Sequence, residues 1–481
     1  MIKYSMDRSN KHMWDSISRG LPTTPSPIDI IPLPEILRVM QHCLHDRVER
    51  FDLALQLLDI ISHMRNDIEF LNWKAMLEFD AKSYVRSFET TEQVLEHTRD
   101  HNTLFNAGRA AYKANRLEHS ERYLREALVL QPGDSSITLD HAVTICTMGD
   151  FDRAIAIIES IDKSQLDETH AKIVDFNKGW HRIRQGDFKQ GIALLHIGRE
   201  INIWGSDARK YNRPRWDGTT QPGKIILMVG EGGIGDEVIN ARFSEIICDR
   251  GMRCVMSTVH KNTSMLSSVL TLDEVFDNSE IDSRTWDYWI PCMDLPYVLG
   301  IDSTDIPSKP YISAKLDHIE KWKSKLRSDK FKIGIRWMGN PRYELELART
   351  IPPELFEQLN GPDVQLYSLQ KDDSIANLCI PQDTIDIAND LESWDDTMAA
   401  MMEMDLIITS CTSVAHVAGA LGRPTWVVVP LLPYYTWADM KRESYWYDSV
   451  RLYRQAEWKD WSAPMQEVAA DLAKLLAGDL K

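Results

Sequence analysis

The chain has 481 residues, 43% of them apolar and 26% charged, with a formal net charge of −17. That length exceeds one compact core and points to two or three domains, and the acidic total argues against a broad electrostatic footprint on nucleic acid. No run reaches the length of a membrane span, the polar stretch Met1 to Ser18 lacks the apolar core of a signal peptide, and the seven cysteines show no CxxC spacing. The expectation is a cytoplasmic, reduced protein with no bound metal and no disulfide framework.

The first third reads as helical repeats. From His101 to Asp134 a 34-residue unit places Leu104, Ala107, Gly108, Tyr112, Leu124, Ala127 and Pro132 where a tetratricopeptide unit has its small and apolar positions. Gly149 and Ala154 continue the pattern, and Gly186-Asp-Phe repeats Gly149-Asp-Phe at a spacing of 37, a period stretched by an insertion. Upstream, Asp67 to Asp100 and Pro34 to Asn66 fit loosely. Paired helices of this kind stack because each leaves an apolar face that only a neighbour covers; a generic helical bundle is the alternative.

The pattern then changes. Asn212-Arg-Pro-Arg-Trp-Asp-Gly218 marks a linker, and Lys224-Ile-Ile-Leu-Met-Val-Gly230 is a buried strand. It runs into Glu231-Gly-Gly-Ile-Gly-Asp236 and a helix expected from Glu237 to Arg250. Short strands recur at Cys254–Ser257, Val275–Phe276 and Tyr288–Ile290. A charged helix, Lys315 to Lys330, leads to a second α/β domain. That domain opens with the strand Lys332–Met338 and continues through Val364–Leu369 and a helix from Trp394 to Met404. The expected division is an N-terminal extension (1–33), helical repeats (34–205) and two α/β domains (206–325 and 326–481).

Within the second domain, the strand Leu406-Ile-Ile turns through Thr412 and Ser413 into a helix whose apolar face is Val414, Val417, Ala418 and Leu421. Gly422 ends that helix, and the strand Thr425–Val429 follows. A strand, a tight turn and a helix aim free backbone N–H groups at the carboxyl edge of a parallel sheet, which suits a diphosphate. Thr412 and Ser413 add hydroxyl donors, and His416 lies one turn further on the same side. An ordinary βαβ unit, with Ser413 as helix cap and His416 on a solvated face, is the plainer alternative. A last helix runs from Pro464 to Ala477.

Four blocks carry a resemblance. Pro214-Arg-Trp-Asp-Gly, Glu231-Gly-Gly-Ile-Gly-Asp236, Gly334-Ile-Arg-Trp-Met-Gly-Asn-Pro341 with Arg349-Thr-Ile-Pro, and Thr412-Ser-Val-Ala-His-Val-Ala-Gly-Ala-Leu-Gly-Arg-Pro424 resemble bacterial tetratricopeptide-repeat glycosyltransferases. The catalytic half of those proteins is similar to lipopolysaccharide heptosyltransferases and, more distantly, to O-linked N-acetylglucosamine transferase. The resemblance runs from about Asp67 to the C-terminus. It implies an α plus α/β chain in which tetratricopeptide-like repeats precede a GT-B fold of two Rossmann-like domains. It also implies a nucleotide sugar as co-substrate (a UDP-sugar favoured), no bound metal or other cofactor, and an acceptor hydroxyl. Two positions depart from the family: Cys411 stands where an acid is usual before the Thr-Ser pair, and Gly233 stands where a bulkier polar residue is common.

Sugar transfer needs a base for the attacking hydroxyl, donors for the departing diphosphate and a pocket for the nucleoside. Asp236 is the candidate base, since it follows Gly232, Gly233 and Gly235 at a helix start, and the resemblance puts a catalytic Asp there too. Helix capping is its plainer role, and Glu231 and Glu237 are the substitutes. Arg342, Arg349, Thr412, Ser413 and His416 are the candidates for the diphosphate, and Tyr434, Trp437 and Glu443 for the nucleoside. The leading expectation is an inverting, metal-independent glycosyltransferase whose repeats present a protein or glycan acceptor. The alternatives are the same chemistry on a nucleobase of DNA, and a non-catalytic repeat scaffold.

Overall fold

The structure, a computed structural model, describes residues 67–205, 211–340, 346–371, 380–458 and 460–480, with isolated positions between 55 and 62. It separates into two compact units, Ile2–Gln165 and Leu166–Lys481.

The first unit is a run of helical hairpins: α1 Ile68–Asp80 with α2 Tyr84–Leu95, α3 His101–Lys113 with α4 Leu117–Leu130, and α5 Ser135–Thr147 with α6 Phe151–Glu159. Each first helix starts at an aspartate whose side chain accepts a backbone N–H of the first turn: Asp67 from Phe70, Asp100 from Thr103, Asp134 from Ser136 and Ile137. Such caps satisfy donors that the helix geometry leaves over. The hairpin core is Leu95, Leu104, Ala107, Tyr123, Leu124, Ala127 and Ile137.

The same construction begins the second unit. Asp167 caps α7, Glu168–Arg184, by accepting from His170, and α8, Phe188–Ile197, completes a fourth hairpin. The capping aspartates 67, 100, 134 and 167 are spaced 33, 34 and 33 residues apart. The insertion that stretches the spacing of the Gly-Asp-Phe turns to 37 lies within a helix: α7 has 17 residues where α5 has 13, one additional helical turn.

Every hairpin turns through one residue in the left-handed region: Lys82 (φ 58°), Asn115 (φ 59°), Gly149 (φ 94°) and Gly186 (φ 85°). Glycine takes that conformation freely, whereas a residue with a Cβ is strained there. Of the two turns without glycine, Asn115 is the type that tolerates this conformation and Lys82 the one strained in it.

The rest of the second unit is two parallel sheets. In the first, β1 Ile225–Val229, β2 Arg253–Thr258, β3 Glu274–Asp277 and β4 Tyr288–Pro291 are ordered β3-β2-β1-β4. In the second, β5 Phe331–Arg336, β6 Val364–Ser368, β7 Thr384–Asp386, β8 Leu406–Ser410, β9 Thr425–Val429 and β10 Val450–Arg454 are ordered β10-β9-β8-β5-β6-β7. The strand order reverses beside β1 and beside β5, the places where a parallel sheet opens a crevice at its carboxyl edge. β8 and β9 are buried along their whole length, as sheets covered on both faces require.

Several expected elements differ in extent. The helix expected over Glu237–Arg250 is two, α9 Ile234–Ala241 and α10 Ser244–Asp249. They break at Arg242, whose buried guanidinium donates to the carbonyls of Ile239 (2.9 Å), Pro307 (2.9 Å) and Trp446 and lies 4.3 Å from the Tyr447 ring. The charged helix, α11, stops at Lys325, and β5 stops at Arg336. The helix after β8 is α12, Ser413–Ala420, and the closing helix, α13, spans Ser462–Ala477.

Lys82→Gly should remove left-handed strain and raise the unfolding free energy of the first unit by about 1 kcal/mol, and Lys82→Val should lower it. Urea titration of both variants reads the two opposite signs.

Candidate active site

The site lies where α9 and α12 begin, each at the carboxyl edge of its own sheet. Gly235 of α9 packs against α12: a Cβ built on it would lie 3.2 Å from His416 Cδ2 and 3.6 Å from Ser413 Cα. Two helix starts, each with first-turn N–H groups and a positive dipole end, thus meet in one place.

On the α9 side, Gly232 turns the chain at φ 75° and Gly233 is the N-cap. The N–H of Gly233 donates to Asp236 Oδ2 at 2.7 Å, the reciprocal contact of a capping box. The other oxygen, Oδ1, accepts the Tyr434 hydroxyl at 2.5 Å. The capping role and a position at the cleft therefore coexist on one side chain. Burial pushes the Asp236 carboxyl above its ordinary value; the Tyr434 hydroxyl, the Gly233 N–H and Arg349 oppose that rise, and Glu231 adds to it.

Neither neighbouring glutamate is similarly placed. Glu231 is clamped by Arg199 at 2.6 and 3.1 Å and accepts the Met293 N–H at 3.2 Å. Arg199 also donates to the fully buried Asp294 at 2.8 Å, which His196 (3.1 Å) and Arg215 contact as well. Glu237 is buried under β2 and accepts from Thr258 (2.6 Å) and Asn262 (2.8 Å), and burial raises its carboxyl.

On the α12 side, Thr412, not Ser413, is the N-cap, and no side-chain bond caps the helix. Ser413 is the first helical residue and faces Gly235. His416 is buried rather than solvated: its ring stacks on Trp437 (4.8 Å, 10°), and Nδ1 lies 3.1 Å from the Tyr447 hydroxyl. Burial, with Arg242 and Arg349 adding, lowers its pKa to about 3. The imidazole is neutral at pH 7 and offers a hydrogen bond, not a charge. Arg349 donates to the Cys411 carbonyl at 2.8 Å and pairs with Glu346 at 2.6 Å, so its carboxylate comes from the preceding turn and not from position 411. Cys411 itself is buried, which raises its thiol.

Asp236, Gly232, Gly233, Gly235, Arg349, Thr412, Ser413, His416 and Tyr434 thus come together, and Arg342 lies outside the described residues. Of the nucleoside candidates, Trp437 is fully buried behind His416 and forms a wall. Tyr434 is spoken for by Asp236. Glu443 is exposed and bridges to Arg451 near the amino end of β10, so the structure does not bring it to this edge. The sequence reading missed the Tyr434–Asp236 contact and the Arg199–Glu231–Asp294 cluster. They join residues 198, 32 and 95 apart and leave no local pattern.

Three histidines of this unit are held neutral: His416 near pKa 3, His181 and His196 near 4, each chiefly by burial. Unfolded histidine titrates near 6.5. Below that pH the unfolded chain binds protons the folded chain refuses, so stability should fall from about pH 6.5 toward about pH 4. Each histidine adds up to about 1.4 kcal/mol per pH unit. A urea series across this range should show that slope, and His416→Gln should make it shallower by about one proton.

No protein-family model matches the chain. Protein FlbA of Caulobacter vibrioides is 23% identical over 439 residues, covering 76% of this chain and 72% of that protein. Similar solved structures include the E. coli ADP-heptose lps heptosyltransferase II, at 14% identity over 53% of this chain and 99% of that one, with a TM-score of 0.40. They also include YrrB, a TPR protein with an unusual peptide-binding site, at 15% identity over 35% and 85%, with a TM-score of 0.27. A glycosyltransferase and a repeat protein thus stand among the structures similar to this chain.

Proposed function

We propose that the chain is a nucleotide-sugar-dependent, inverting glycosyltransferase acting on a protein or glycan hydroxyl, with a UDP-sugar as the favoured donor. The observation that carries this reading is the meeting of the two helix starts, one bearing Asp236 and the other Thr412, Ser413 and the nearby Arg349. Asp236 takes the proton of the acceptor hydroxyl as its oxygen attacks the anomeric carbon of the donor. The bond from that carbon to the diphosphate breaks, and configuration inverts in the single displacement. The diphosphate leaves toward the first-turn N–H groups of α12, the hydroxyls of Thr412 and Ser413, and Arg349, all of which stabilise developing negative charge. His416 contributes through packing and a neutral hydrogen bond. A cytoplasmic setting suits the free thiols of Cys146, Cys248, Cys254, Cys292 and Cys411. Among the described residues, no helix is long and apolar enough to cross a membrane.

Asp236→Asn should lower transfer by about 10²–10⁴ while leaving nucleoside-diphosphate affinity within a few-fold, with or without a chelator. A panel of nucleotide sugars in thermal-shift and transfer assays tests this. Parent-like transfer by the variant would remove Asp236 from the reaction, and binding abolished by the chelator would remove the metal-free diphosphate site.

The Ile2–Gln165 unit is, on the same reading, the acceptor-holding part. Deleting it should leave donor binding intact and abolish transfer to the natural acceptor. A truncation starting at Asn202 should instead unfold, because it also strips Phe176 and Trp180 from Trp204, and Arg199 from Glu231 and Asp294. Breaking such a buried ion cluster costs about 3–5 kcal/mol. Cooperative unfolding and nucleotide titration of the two truncations separate the cases.

A further inference from the structure

The Tyr434–Asp236 contact is made across the two α/β halves: Asp236 stands on the helix after β1, Tyr434 on the loop after β9. The hydroxyl meets Oδ1 while the Gly233 N–H holds Oδ2, so both oxygens are fixed and the carboxyl plane cannot turn freely. An ionised carboxylate has about four acceptor positions, and two remain for an incoming hydroxyl. Tyr434 is anchored in turn. Its ring lies 4.6 Å from the Tyr435 ring and 6.2 Å from Trp180 of α7, and Trp180 packs against Phe176 and Trp204.

We propose that Tyr434 is a positioning residue for the Asp236 base: its hydroxyl fixes the rotamer of the carboxylate and favours the ionised form that accepts the acceptor's proton. This rests on the glycosyl-transfer reading for the reaction, but not for the contact. A hydrogen bond donated to the charged form opposes the burial that would otherwise keep the carboxyl protonated. The other ionisable groups facing Asp236 are Glu231 in its own loop, Glu237 on its own helix, Arg349 after β5, Tyr435 beside Tyr434, and Cys292 after β4. Glu231, Glu237 and Arg349 are each held by partners of their own, and Tyr435 and Cys292 are buried with their ionisation pushed far up.

The test is Tyr434→Phe in the full chain, which keeps the ring and its aromatic contacts and deletes only the donor. Infrared difference spectra over pH, with Asp236→Asn as the blank, follow the Asp236 carboxyl directly and need no substrate. We expect its titration to move upward by about one pH unit in Tyr434→Phe, the size of one hydrogen bond. The acid limb of kcat/KM should move with it: roughly tenfold lower activity one unit below the parent's limb beyond any loss on the plateau from the freed rotamer, and an unchanged KM for the donor. An unmoved carboxyl titration overturns the proposal. So does a loss of kcat that is equal at every pH, the mark of a merely structural tyrosine. If the titration moves but no donor of the panel is turned over by the parent chain, Tyr434's hold on Asp236 stands and the glycosyl-transfer reading falls.

Discussion

The close approach of two helix starts is the constraint on which the site depends. α9 and α12 belong to different sheets, and they meet where Gly235, without a side chain, comes against His416 and Ser413, so that a Cβ there would press on the His416 ring. The approach brings two positive dipole ends together, and that field favours an anion between or beside them. The acidic groups nearby answer the same field, with Asp236 capping its own helix through Gly233 and Glu346 pairing Arg349. Local charge here is thus set by helix geometry, even though the chain as a whole is strongly acidic.

Much of this was legible in the sequence, for reasons that can be named. The central strands β1, β8 and β9 are mainly apolar runs, the mark of strands covered on both faces, and such runs are visible without a structure. The glycine loop and the Thr-Ser turn are local features, so Asp236, Thr412 and Ser413 stand out as candidates from their neighbours in the chain. The capping aspartates at 67, 100, 134 and 167 carry the repeat more faithfully than the small residues do. In the sequence they bound the units without marking them, because an isolated aspartate is common at any helix start.

What the sequence hid is of two kinds. Contacts between distant segments, such as Tyr434 with Asp236 or Arg199 with Glu231, follow from the packing of whole domains. Burial also reversed the expected character of two residues. His416 and Trp437 have the look of ligand-facing groups by type and position, yet they stack on each other inside the body. Their work is to set the shape of the α12 start, and Tyr447 and Arg242 extend the same packed layer behind them.

The extra turn of α7 has a consequence for how this chain can vary. Four residues advance a helix by about 6 Å and rotate it by only about 40° beyond a full circle. Losing that turn would keep the buried stripe of α7 roughly in phase while drawing the start of α8 back by more than the length of a hydrogen bond. Arg199 lies just beyond α8, and its bonds to Glu231 and Asp294 tolerate no such shift. A hairpin at this place is therefore fixed in length by the glycine loop it supports. The hairpins before it repeat at 33 to 34 residues, the regular spacing of modules that pack on their sequence neighbours. Variation in repeat number among chains of this kind should fall upstream of residue 167 and stop there.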